Sequence, residues 1–301
     1  MQSEILYISS LLIAYLVELI FNHYLPITHP IKFLQPLFLS VNRQLKPKRL
    51  LLLKVLLFSV ISVASTYFVA FYLDFWLMKA HYSLVVLHHV FWLSITLSNT
   101  STIRKGKNLF KLLHTKEELG KARKLFAQYT GSDSSKMTVN ELRKAILQYI
   151  AHRLCVDLVA PVLYYMLFGL PGLLIYKTLM VIYDTVNRFK HHSSIYTLNR
   201  FIHYLIQIVP ALCTSLLMIL SEGGFIHLLA IINPENFKFN PSKSFPCTAL
   251  SVLLKYDLSP QQSLTNLPGN LPSISMRKTA LIVLRTALLT ILLAATLRYL
   301  A

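Results

Sequence analysis

Charge is scarce in this sequence: Asp, Glu, Lys and Arg make up 14% of its 301 residues, and only 12 of these are acids. A soluble domain keeps a dispersed charged surface, so this shortage argues against one. Glycine is scarce as well, at eight, and thirteen prolines in so apolar a chain exclude a collagen-like repeat or a disordered tail. Three cysteines, Cys155, Cys213 and Cys247, stand far apart with no CxxC or Cys/His ligand spacing, which excludes a disulfide framework and a zinc site. Neither Gly106-Lys107 nor Gly120-Lys121 has the glycine and hydroxyl neighbours of a P-loop, and no GxGxxG occurs. Lys and Arg are missing before Lys32, so the first apolar stretch lacks the basic n-region of a cleaved signal peptide and is expected to stay as an anchor.

What the chain does have is hydrophobic length, with 54% hydrophobic residues and a mean hydropathy of +0.53. Thirty basic residues against 12 acids leave +18. In a chain of apolar spans, Lys and Arg collect in cytoplasmic loops, so this balance reports topology and not a nucleic-acid partner. Crossing about 30 Å of hydrocarbon takes about 20 helical residues. Spans are expected near 4–21, 50–73, 81–99, 201–221 and 279–299. Val55 to Leu73 carries no charge, Arg285 interrupts the last span, and Glu18 is expected at headgroup depth.

Residues 155–186 are too long for one crossing at about 1.5 Å per residue. Gly169-Leu170-Pro171-Gly172 breaks them in the middle, which fits two short helices folded into a re-entrant hairpin. Such a hairpin returns to the side it left, and both its flanks are basic. Residues 100–154 hold twelve Lys/Arg against four acids, and Arg188, Lys190 and Arg200 follow downstream. The positive-inside rule makes both flanks cytoplasmic, together with the loop holding Arg43, Lys46, Lys48 and Arg49.

The fold class read here is therefore all-α, a polytopic helical membrane protein with a helical cytoplasmic insert and a re-entrant helical hairpin. Its parts are N-terminal membrane helices (1–99), the basic insert (100–154), the hairpin and a membrane helix (155–232), a loop region (233–278) and a C-terminal membrane helix (279–301). Within the insert, Leu119, Ala122, Phe126 and Tyr129 recur at helical spacing, and Gly131-Ser132-Asp133-Ser134 ends that run. Thr138-Val139-Asn140-Glu141 is a capping box that should start the next helix.

Candidate chemistry lies on the hairpin. Desolvating an ion inside a membrane is costly, so Asp157, Lys177 and Asp184 stand out, with Lys177 and Asp184 seven residues apart on one helical face. Tyr164, Tyr165, Tyr176 and Tyr183 read equally as an aromatic belt. The pairs His88-His89 and His191-His192 have no carboxylate at ligand spacing, so no metal site is assigned to them.

Several stretches together resemble the CobD/CbiB family of cobalamin-biosynthesis membrane proteins, to which the AmpE proteins are related. Leu25-Pro26-Ile27-Thr28-His29-Pro30-Ile31-Lys32 is similar to the family's Pro-His-Pro-Val-Arg element. Ala122-Arg123 and Gly131-Ser132-Asp133-Ser134 are similar to its Ala-Arg and Gly-Arg-Asp-Thr elements. Ala160 to Tyr165, Gly169 to Gly172, Tyr176-Lys177, Pro210-Ala211 and Asn240 to Pro246 follow in family order, across roughly residues 18–260. The resemblance implies a bacterial or archaeal cell membrane and a ligase reaction, the ATP-dependent joining of adenosylcobyric acid to an aminopropanol or its phosphate. It implies ATP and Mg2+ as cofactors, a corrinoid and an amino-alcohol phosphate as binding partners beside the lipid bilayer, and leaves a homo-oligomer open. By resemblance, His29, Lys32, Asp133, Tyr176, Lys177 and Asn240 bind substrate, while Asp157 and Asp184 are the catalytic candidates.

The departures bear on chemistry. Where the family carries Glu, then Glu-Asn, then Asp ahead of Ala-Pro, this chain has Gln148, His152-Arg153 and Val156. Met180 and Tyr183 replace an Asn and an Asp, His203-Tyr204 replaces an Asp pair, and Leu212 replaces an Arg. Asp157 and Asp184 each stand one residue from a family acid, which on a helix is about 100° of rotation. Handling Mg–ATP needs carboxylates for the metal and cations for the phosphates. The substitutions therefore raise a second reading, a non-catalytic AmpE-like membrane protein that binds or signals.

Overall fold

The computed structural model describes residues 2–21, 48–113, 118–187, 193–223, 241–254 and 274–300. Among the described residues every regular element is helical. These elements are α1 (Gln2–Phe21), α2 (Lys48–Ala80), α3 (Tyr82–Thr96), α4 (Asn99–Lys111), α5 (Leu119–Thr130) and α6 (Val139–Leu154). After the π-helical turn Cys155–Val159 come α7 (Ala160–Asn187), α8 (Ser193–Ser221), α9 (Pro241–Leu254) and α10 (Ile274–Leu300). Among the described residues four stretches are long and apolar enough to cross a membrane: Ser59–Ala80, Val139–Thr185, Thr197–Ser221 and Met276–Leu300. The fold is that of a polytopic helical membrane protein.

The contacts divide the chain into two compact units, each discontinuous in sequence. The first gathers residues 1–97, 160–207 and 293–301, and the second gathers 98–159 and 208–292. In the first unit α1 packs on α3, α2 packs on α3 and α7, and α7 also meets α1 and α3. Only 11% of the apolar window of α2 is buried, and Phe68, Val69, Phe71 and Trp76 are exposed. An uncovered apolar face of that length fits acyl chains and not water.

The hairpin turns at Gly169, whose φ of 68° and ψ of −160° lie outside the helical region. Tyr164 and Tyr176 stack with ring centroids 5.0 Å apart. Twelve residues along an unbroken helix would separate them by about 18 Å, so the chain doubles back between them. A Cβ on Gly169 would meet Tyr7 Oη at 2.7 Å, so the close approach of α1 and the positive φ both require glycine.

In the second unit α6 packs on α4, α5 and α9. Thr138 and Glu141 form the expected capping box, and Ala122 and Phe126 are buried. Helix α5 ends at Gly131 in the left-handed conformation.

The Glu18 side chain is buried among protein, at 1% exposure. One expectation needs correction. The span expected over 81–99 is shorter, because α3 ends at Thr96, Leu97 turns extended, and α4 starts at Asn99. Fifteen residues rise about 22 Å, less than a full crossing. Arg285 is exposed and is matched by Glu222, with Nη1 2.8 Å from Oε1.

Candidate functional site

His29, Lys32 and Asn240 lie outside the described residues, as does the pair His191-His192. Asp133 is exposed in the loop after α5, where its Oδ1 accepts the Ser135 backbone N–H at 3.0 Å. That bond, which favours the ionised form, holds the carboxyl below its usual range. The loop is tied back to α5, since Arg123 Nε donates to the Met137 carbonyl at 2.8 Å and Ser134 Oγ donates to the Arg123 carbonyl at 2.6 Å.

Asp157 stands on the π-helical turn and receives Arg153 Nη1 at 3.2 Å, an i,i+4 ion pair. One turn earlier, His152 Nδ1 is 3.0 Å from the Ser242 carbonyl, and because a carbonyl only accepts, Nδ1 carries the hydrogen. Cys247 Sγ points at the Gln148 carbonyl at 3.9 Å. The 148–157 face is therefore engaged with α9 and with itself.

In the first unit, the second arm of the hairpin carries Tyr176, Lys177, Met180, Tyr183 and Asp184. Gln207 of α8 donates its Nε2 to Tyr176 Oη at 2.9 Å, and the same nitrogen is 3.1 Å from Met180 Sδ. Tyr164 Oη donates to the Ile206 carbonyl at 2.8 Å, which pins the first arm to the same helix. Tyr183 stacks on His203 with centroids 3.6 Å apart and planes 16° from parallel. Lys177 is buried and Asp184 is exposed, about 10.5 Å further along the helix, so the shared face holds two different environments.

A further cluster in this unit was not expected from the sequence, which gave His88-His89 no carboxylate. Asp74, at the far end of α2, bonds both histidines of α3. Its Oδ1 is 2.8 Å from His88 Nδ1 and its Oδ2 is 3.1 Å from His89 Nε2. Trp92 Nε1 donates to His88 Nε2 at 2.9 Å, and His89 Nδ1 is 2.8 Å from Tyr165 Oη on the hairpin. Tyr7 of α1 packs edge-on to Tyr165 at 5.3 Å, and the Arg298 guanidinium lies 4.4 Å over the Tyr7 ring. The sequence signal was thin: of twelve acids, Asp74 alone falls between Glu18 and Glu117.

Among the described residues no group of three or more His, Cys, Asp or Glu is arranged to hold a metal ion. Tyr183 and His203 form a stacked pair, and His152 is hydrogen-bonded to the Ser242 carbonyl. Aromatic and imidazole groups such as these do not supply the hard oxygen ligands of the Mg–ATP that the resemblance implies.

Searches of curated proteins and of solved structures found no match. The family model described as CobD/Cbib protein matches residues 11–262, well over half of the chain. The chain therefore belongs to the CobD/CbiB family.

Proposed function

We propose that this chain works in cobalamin biosynthesis at a membrane, taking up a corrinoid on the cytoplasmic face. The observation that carries this reading is the family match across residues 11–262. The reaction it brings is the ATP-dependent joining of adenosylcobyric acid to an aminopropanol or its phosphate. Buried Lys177 and the hydroxyl of Tyr176, ordered by Gln207, support a polar pocket on the hairpin's second arm. Lys177 Nζ lies 5.8 Å over the Tyr176 ring, and a cationic side chain beside an ordered phenol hydroxyl suits the phosphate of the amino alcohol.

A second reading is favoured by one specific observation. Tyr183 and His203, which the resemblance matches to family acids, pack against each other with ring centroids 3.6 Å apart. Paired replacement of carboxylates by a stacked aromatic pair supports a protein that binds the corrinoid without joining it.

Protein purified in detergent and supplied with ATP, magnesium, adenosylcobyric acid and aminopropanol phosphate separates the two. Formation of the amide, lost in Lys177→Gln, supports the first. Corrinoid binding with no amide supports the second, and neither binding nor product defeats both.

A further inference from the structure

A charged patch on α10, within the second unit, has no part in the corrinoid reading. Ile282, Val283 and Ala287 turn into the protein and are fully buried. The opposite side of the helix is exposed and carries Leu281, Leu284, Leu288 and Leu292, with Arg285 among them. Leu281 and Leu288 stand seven residues apart, as do Arg285 and Leu292. That spacing marks a heptad seam, the pattern along which one helix packs against another.

Leucines on a membrane span do not by themselves call for a protein partner, because acyl chains cover them equally well. Arg285 does call for one. It lies inside the span Met276–Leu300, and its side chain is 54% exposed. Among the described residues its one hydrogen bond runs from Nη1 to Glu222 Oε1 at 2.8 Å. A guanidinium has five N–H donors, and hydrocarbon offers no acceptor for the others. A charge left on a lipid-facing stripe is costly, which favours an arrangement that turns it toward protein. Glu222 follows directly on α8, whose end is held at α10 by Ser221 Oγ, 3.5 Å from Thr286 Oγ1. The surface therefore sets one positive and one negative charge side by side on an apolar seam, and a two-fold axis makes such a patch complementary to itself.

We propose that this seam is the interface of a homodimer, in which α10 packs along α10 of a second copy and each Arg285 also reaches the Glu222 carboxylate of the other copy. The four charges then alternate in sign around the axis. The guanidinium donors not used within the chain gain an acceptor, and the leucines of the two copies interdigitate. A second copy carries the required carboxylate by construction, whereas lipid tails carry none.

The test uses the full chain in the membranes that express it. Under copper phenanthroline oxidation, Leu281→Cys and Leu288→Cys are expected to give disulfide-linked dimers. Leu293→Cys, exposed but turned about 140° around the helix from Leu288, and the unsubstituted chain with its three cysteines are expected to stay monomeric on the gel. No dimer from either seam position, or as much from Leu293→Cys, means that lipid or another protein covers the seam and overturns the proposal. Charge reversal gives a second measurement. Glu222→Arg leaves two positive charges on the patch and Arg285→Glu leaves two negative ones, so each variant repels its own kind and attracts the other. With the two variants co-expressed under different tags, the mixed pair is expected to coprecipitate at least about tenfold more than either variant with itself. Equal recovery of mixed and like pairs overturns the interface. Should the reversed variants fail to fold, the cysteine variants, which keep both charges, decide alone.

Discussion

Gly169 combines two demands that only glycine meets, a left-handed φ and the approach of Tyr7. Gly169→Ala is expected to lower stability by about 1–3 kcal/mol, read as the thermal midpoint in detergent. An unchanged midpoint would count against the turn as described. The cysteines give a second prediction at this scale. Cys155 and Cys247 are buried while Cys213 is partly exposed, and burial pushes the Cys247 thiol up to about 12. A thiol with a raised pKa forms thiolate only near that value, so at about pH 8 it stays protonated as well as covered. Maleimide should modify Cys213 at most in the folded protein, and all three cysteines after denaturation in SDS. The turn at Gly169 was legible because glycine and proline are local signals. The bonds from Asp74 were not, because they join residues 14 and 15 apart that meet only once α2 and α3 are packed.

Helices whose ends are fixed by neighbouring residues were also legible. The Thr138–Glu141 box closes with Thr138 N donating to Glu141 Oε2 at 2.6 Å and Glu141 N donating to Thr138 Oγ1 at 3.3 Å. Thr138→Ala should cost about 1 kcal/mol of stability, measured by unfolding in detergent. In the preceding loop the depressed Asp133 carboxyl sets a direction with pH. A folded-state pKa below the unfolded one stabilises above the ordinary carboxylate range, and the contribution is lost as pH falls through the depressed value. Protection of the Ser135 amide, its exchange rate relative to the intrinsic rate at the same pH, is therefore expected to fall on acidification, and Asp133→Asn should remove that dependence. The end of α3 was less legible, since Leu97 and Ser98 carry no proline or glycine to mark the break. Asp157 was noticed for its position, but its partner is Arg153, four residues back, which makes it part of an ion pair on one helix.

For the whole molecule, few charges, exposed apolar helix faces and a basic excess agree on a membrane protein. The spans expected at 50–73, 201–221 and 279–299 were legible because length and hydropathy are properties of sequence, and the family was legible because its short landmarks keep their order. The arrangement of the site was not, because it depends on which side chains helices α7 and α8 turn toward each other. Tyr183 and His203 looked in sequence like two separate losses of an acid, and the structure makes them one stacked pair. Both functional readings require that the chain hold a corrinoid. Equilibrium dialysis of the detergent-purified chain against adenosylcobyric acid measures that requirement without assuming turnover. Saturable retention, weakened in Lys177→Gln, is the expected result; a corrinoid that equilibrates freely across the membrane of the dialysis cell, with no excess on the protein side, would contradict the account.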